Sequence, residues 1–110
     1  MKIKCYFCIP RTTKFKWPMT HPKFILTAEG EIKMGMVTLH KDLLESGDQC
    51  LGGGYWEVDY GSNRLLLDGE STDFGAPLWH LVDEVKVPKG FSGMAVVYYP
   101  SDGSEAIRVA

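Results

Sequence analysis

The chain has no apolar run near the roughly 20 residues that a bilayer-spanning helix needs, so no transmembrane helix is expected. Charge of one sign is also lacking: the 12 basic and 14 acidic residues leave a formal net charge of −2, which gives no electrostatic case for a nucleic-acid binder. Cysteine is scarce, and its count of 3 is odd, unsuited to a disulfide framework and compatible with a reducing compartment. There is no linker, internal repeat or low-complexity tract. Met1-Lys2-Ile3-Lys4 lacks the apolar segment of a secretory signal, so a cytoplasmic location is expected.

What is present is ordinary globular composition. Hydrophobic content of 45% with 24% charged residues argues against both disorder and a fibre. A length of 110 residues gives a single domain with one core, spanning residues 1–110. Cys5-x-x-Cys8 sits in an extended-looking run, where residues three apart point to opposite faces and cannot readily share a metal ion. No metal site and no cofactor are expected. Arg11, Lys14 and Lys16, with Lys23 nearby, read as a solvated basic loop.

The pattern alternates between strand and turn. Lys2–Ile9 reads as a first strand, and residues 11–22 as a loop. Phe24–Ala28 and Glu31–Val37 form a hairpin about Glu29-Gly30. Tyr55–Tyr60 and Arg64–Leu67 form a second about Gly61-Ser62-Asn63. Met94–Tyr99 and Ala106–Val109 flank the turn signal Pro100-Ser101-Asp102-Gly103. Lys41–Ser46 predicts a short helix ended by Gly47, and Leu78, Leu81, Val82 and Val85 after Pro77 predict a second. The expected fold is therefore α/β (α+β): one mixed sheet of about six strands flanked by two helices.

The chemistry-bearing residues fall in three places. Cys50-Leu51-Gly52-Gly53-Gly54 lets backbone approach something closely, and the triple glycine predicts a tight turn. Gly69-Glu70-Ser71-Thr72-Asp73-Phe74-Gly75 precedes the second expected helix, where an N-terminus would hold an oxyanion. His40-Lys41-Asp42 supplies an imidazole able to accept a proton or attack phosphorus, with Asp42 placed to cap the turn that follows. His21 and His80 have no such context and read as surface residues. Cys50 has no neighbouring cation to activate it and reads as a buried neighbour of the site.

These three elements, in this order, resemble the Janus/Ocnus family, whose best-characterised members are protein histidine phosphatases. The resemblance covers about Met36 to Val87. It implies a metal-independent phosphatase acting on phosphohistidine or a related phosphoramidate, with His40 catalytic as base or nucleophile. It also implies that Ser71 and the backbone at Asp73 bind the phosphoryl oxygens, with Lys41, and Lys4 on the first strand, as further phosphate-binding residues. The implied partner is a phosphorylated protein or a small phosphoramidate, with no nucleic acid and no membrane; the oligomeric state stays open. Two positions depart from the family pattern. Asp73 stands where a small residue is expected, and Tyr55 where an arginine follows the glycines. Both favour the alternative reading, a non-catalytic phosphate- or phosphoprotein-binding module of the same fold.

Overall fold

A computed structural model describes residues 20–110. The predicted first strand, with Lys4, Cys5 and Cys8, lies outside the described residues. Six strands follow in chain order: β1 His21–Thr27, β2 Ile32–Val37, β3 Cys50–Asp59, β4 Arg64–Asp68, β5 Ala95–Tyr99 and β6 Ile107–Arg108. They form one sheet in the order β2-β1-β3-β4-β5-β6. All neighbours are antiparallel except β4 and β5, which run parallel.

The hairpins fall where turn chemistry places them. Ile25 pairs with Lys33 across the first, and Gly30 takes a φ of +86° at its tip, a conformation that glycine adopts without strain. Asp59 pairs with Arg64 across the second, where Asn63 carries a φ of 55°. Side chains alternate between faces along each strand. Phe24, Val58, Leu65, Leu67, Val96 and Tyr98 meet on one face and form the core, joined by Ile32. Lys23, Ile25, Gly53, Tyr55 and Asp68 belong to the other.

The two flanking helices are not formed: the described residues contain no α-helix, only 3-10 turns at His40–Leu43, Trp79–Leu81 and Lys89–Phe91. At the first, the chain turns extended at Leu44, and the Asp48 carboxylate takes the Glu45 amide at 2.8 Å. That side-chain bond offers the backbone an alternative to continuing the helix. Asp48 also pairs with Lys33, and Gly47 at φ +89° serves this turn rather than a helix end.

At the second, the helical stripe does not become a buried face: Leu78 and Leu81 stay 42% and 56% exposed. Trp79, off that stripe, packs instead, stacked on Phe24 at 6.2 Å and edge-on to Tyr98 at 5.4 Å. Beyond it the chain is extended. Lys86 donates to the Gly30 carbonyl at 2.7 Å and accepts from Ile32 at 3.2 Å. A helix this short gains too little from its own hydrogen bonds to compete with such partners.

The parallel step from β4 to β5 requires a long crossover. Residues 69–94 make it, and Trp79, Val85, Val87, Phe91 and Met94 from this stretch pack on the core. An irregular crossover thus does the covering that the sequence pattern assigns to helices. No helix among the described residues is long and apolar enough to cross a membrane.

Candidate functional site

The triple glycine is the middle of strand β3, not a turn. Each of its members makes room for a different neighbour. A Cβ on Gly53 would stand 3.2 Å from Cδ2 of His40, so the bare backbone there seats the imidazole. A Cβ on Gly54 would stand 1.9 Å from the Asp68 carbonyl oxygen, which brings the end of β4 hard against β3. Gly52, at φ +118°, lies under Ala76 and Pro77.

His40 opens the 3-10 turn after β2 and is 4% exposed. Asp42 accepts the Leu39 amide at 3.1 Å, so its role is to hold this turn, as expected for an acid in a first turn. The ring's Nε2 lies 2.9 Å from the Gly54 carbonyl. A carbonyl only accepts, so Nε2 carries the proton and the unshared pair of the neutral ring is on Nδ1. Burial pushes the pKa of His40 below its ordinary value; the Gly54 bond and Asp73 oppose that, while Lys23 adds to it. A neutral imidazole with a fixed tautomer is the result, and it can act as base or nucleophile near pH 7.

A cavity of about 350 Å³ opens beside His40, lined also by Lys23, Leu39, Tyr55, residues 69–73 and Ser101. The structure thus gathers His40, Ser71 and Asp73, far apart in sequence, about one space. Lys41 is exposed and does not line it, and Lys4 lies outside the described residues. The cation that the cavity does hold is Lys23, in β1 and only 8% exposed. It does not belong to a solvated loop: its Nζ donates to the Thr38 carbonyl and sits 5.8 Å from the centre of the Tyr55 ring. The sequence carried one signal for it, a lysine set between Pro22 and the apolar run Phe24-Ile25-Leu26. An expected strand start at Phe24, three residues after the observed one at His21, concealed it. His21 is likewise no surface residue, since its ring meets the edge of Tyr55 at 5.9 Å. His80 is exposed.

No α-helix follows the 69–75 segment, only the 3-10 turn at Trp79–Leu81, so the oxyanion cradle at a helix N-terminus is replaced by a tied loop. Ser71 Oγ accepts the Phe74 amide at 3.2 Å, and the Ser71 carbonyl accepts from Gly75 at 3.0 Å. That bond leaves the Ser71 hydroxyl hydrogen able to donate to an anion. Gly53 donates to the Gly75 carbonyl at 3.0 Å and Leu78 to that of Leu51 at 2.8 Å, fastening the loop to β3. Its start is held by Asp68, whose Oδ1 accepts both the Tyr55 amide at 2.8 Å and the Glu70 amide at 3.1 Å. Sequence reasoning missed Asp68, although an acid directly before a glycine at a strand end is a loop-anchoring signal.

Cys50 is half-buried beside Gly52, and burial raises its thiol pKa, so it is no thiolate nucleophile at neutral pH. Among the described residues no three His, Cys, Asp or Glu side chains are placed to hold a metal ion. No family model, curated protein or solved structure matches the chain.

Proposed function

We propose that the chain is a metal-independent phosphatase acting on phosphohistidine or a related phosphoramidate, in the cytoplasm, where its odd cysteine count fits a reducing compartment. The observation that carries this reading is the state of His40: buried, its tautomer set by the Gly54 carbonyl, and lining a cavity that also holds Lys23 and Ser71. Phosphoryl transfer asks chiefly for positioning and for charge stabilisation on the non-bridging oxygens. Lys23, the Ser71 hydroxyl and the amides of the Thr72-Asp73 turn are the donors suited to that task. The Nδ1 electron pair either attacks phosphorus or takes a proton from the attacking water. In both routes the P–N bond breaks with its electron pair going to nitrogen, which is protonated, and water's oxygen ends on phosphate.

The second reading, a non-catalytic module that binds a phosphorylated partner, is favoured by one observation: the Asp73 carboxylate shares the cavity with the groups that would hold the anion. Hydrolysis of a phosphohistidine peptide by the native chain and by His40→Ala, with EDTA present, separates the two. Turnover by the native chain that falls at least about 100-fold in the variant is the expected result. Equal turnover in both would mean that His40 is not the reacting group. No turnover in either, with phosphopeptide binding retained, would establish the binding module.

A further inference from the structure

Strands β4 and β5 run parallel and in register to their ends, where Asp68 pairs with Tyr99. The chain therefore leaves both strands at the same level, and then it parts. After β4 it turns back over β3, to which Gly75 and Leu78 fasten it; after β5 it turns the other way, into β6. A crevice opens where chains leave the carboxyl ends of neighbouring parallel strands in opposite directions, the place that open α/β sheets use for ligands. The cavity beside His40 occupies it: residues 69–73 line it from the β4 side and Ser101 from the β5 side.

The residue pattern marks Pro100-Ser101-Asp102-Gly103 as a turn and nothing more. The fold makes that turn a wall of the site. It is fixed from within: Gly103 donates to the Pro100 carbonyl at 3.4 Å, and the Ser104 amide donates to Oδ1 of Asp102 at 2.8 Å. The second bond engages the Asp102 carboxylate, which does not line the cavity. The exposed Ser101 hydroxyl, by contrast, makes no hydrogen bond among the described residues, so its proton and both its electron pairs are open to a ligand.

The other donors of the cavity are partly engaged. Ser71 Oγ accepts the Phe74 amide, and the Lys23 ammonium donates to the Thr38 carbonyl and stands over the Tyr55 ring. A phosphoryl group spreads its charge over three non-bridging oxygens. A donor on the β5 side meets an oxygen turned away from the 69–73 loop. We propose that Ser101 is a further phosphate-binding residue: its hydroxyl donates to a non-bridging oxygen and, with Ser71 on the other loop, holds the phosphoryl group between the chains leaving β4 and β5. This rests on the reading of the cavity as a phosphoryl site given above.

The test titrates inorganic phosphate into the native chain, Ser101→Ala, Ser101→Thr and Ser104→Ala by isothermal calorimetry, and measures kcat/KM on a phosphohistidine peptide, in EDTA, for the same four proteins. Ser101→Ala should weaken phosphate binding and lower kcat/KM by about tenfold each, the low end for one hydrogen bond to a charged group. Ser101→Thr keeps the hydroxyl and should stay close to native, as should Ser104→Ala, in the same turn but outside the cavity lining. Native values in Ser101→Ala, or an equal fall in Ser101→Thr or Ser104→Ala, overturn the inference and leave the phosphatase reading to the turnover of the native chain. A native chain that binds phosphate but turns nothing over overturns the phosphatase reading, and the affinity of Ser101→Ala then decides the inference. Neither binding nor turnover in the native chain overturns both. Equal melting temperatures of the four proteins exclude misfolding as the cause of a change.

Discussion

Gly54→Ala tests fold and site together. The added methyl carbon would sit 1.9 Å from the Asp68 carbonyl oxygen and 2.8 Å from its Oδ1, whereas real contacts stay at or beyond about 3.0 Å. One strand must therefore retreat by about 1 Å from the other. Forcing volume into a close-packed seam costs about 1–3 kcal/mol. The Asp68 carboxylate holds the Tyr55 and Glu70 amides, and hydrogen bonds to a charged group contribute about 1.5–3 kcal/mol each. Partial loss of that pair adds to the steric cost, for a destabilisation of about 3–4 kcal/mol. At about 4–5 °C per kcal/mol for a domain of this size, Tm should fall by roughly 12–20 °C.

Gly47→Ala is the control. It has open space around it but a φ of +89°, so the variant bears only the strain of a side chain in the left-handed region, about 1 kcal/mol and roughly 4–5 °C. Thermal melts followed by circular dichroism measure both variants. A Gly54→Ala protein that melts no lower than Gly47→Ala would refute the close approach of β3 to β4. The same shift moves the carbonyl that accepts from His40, so the Nε2–H proton resonance should move in Gly54→Ala and stay in Gly47→Ala.

Four further outcomes are expected. Phosphatase activity should rise with pH through an acid limb below the ordinary histidine value of about 6.5, because burial holds His40 neutral and only the unprotonated ring has a free pair. Lys23→Met removes a charge that disfavours the imidazolium, so its acid limb should move to higher pH; a limb that does not move would place Lys23 outside the reach of His40. Stability should also fall as pH drops through the histidine range: the unfolded chain binds a proton there that native His40 refuses, and urea titrations of His40→Ala should show a flatter dependence. Asp68→Asn should destabilise by about 1–3 kcal/mol and speed hydrogen exchange at the Tyr55 and Glu70 amides, since the neutral amide oxygen is a weaker acceptor.

The resemblance in the His40 and Ser71 segments named three cavity residues, His40, Ser71 and Asp73, that the fold does bring together, and among the described residues the strand-forming runs were legible where apolar residues met turn signals. Lys23 was not, because a lone lysine in a strand looks the same whether its face is wet or covered. Asp68 was hidden for a related reason: its partners are backbone amides 13 and 2 residues away, which leave no mark on side-chain pattern.

Composition, the alternation of apolar runs with turns, and the presence of one imidazole ahead of two glycine-rich segments are properties of the sequence by itself. They depend on local sterics and on the need to bury apolar surface, and both act on the chain wherever it goes. Whether Leu78 to Val85 would coil or extend was decided only by the tertiary structure. The spacing suited a helix, but the Gly30 carbonyl and Ile32 amide offered Lys86 backbone partners, and Trp79 found Phe24 and Tyr98. The glycines likewise permitted a turn and a strand equally. What placed them in mid-strand was the crowding of Phe24, His40 and Asp68 about them, which no stretch of sequence contains.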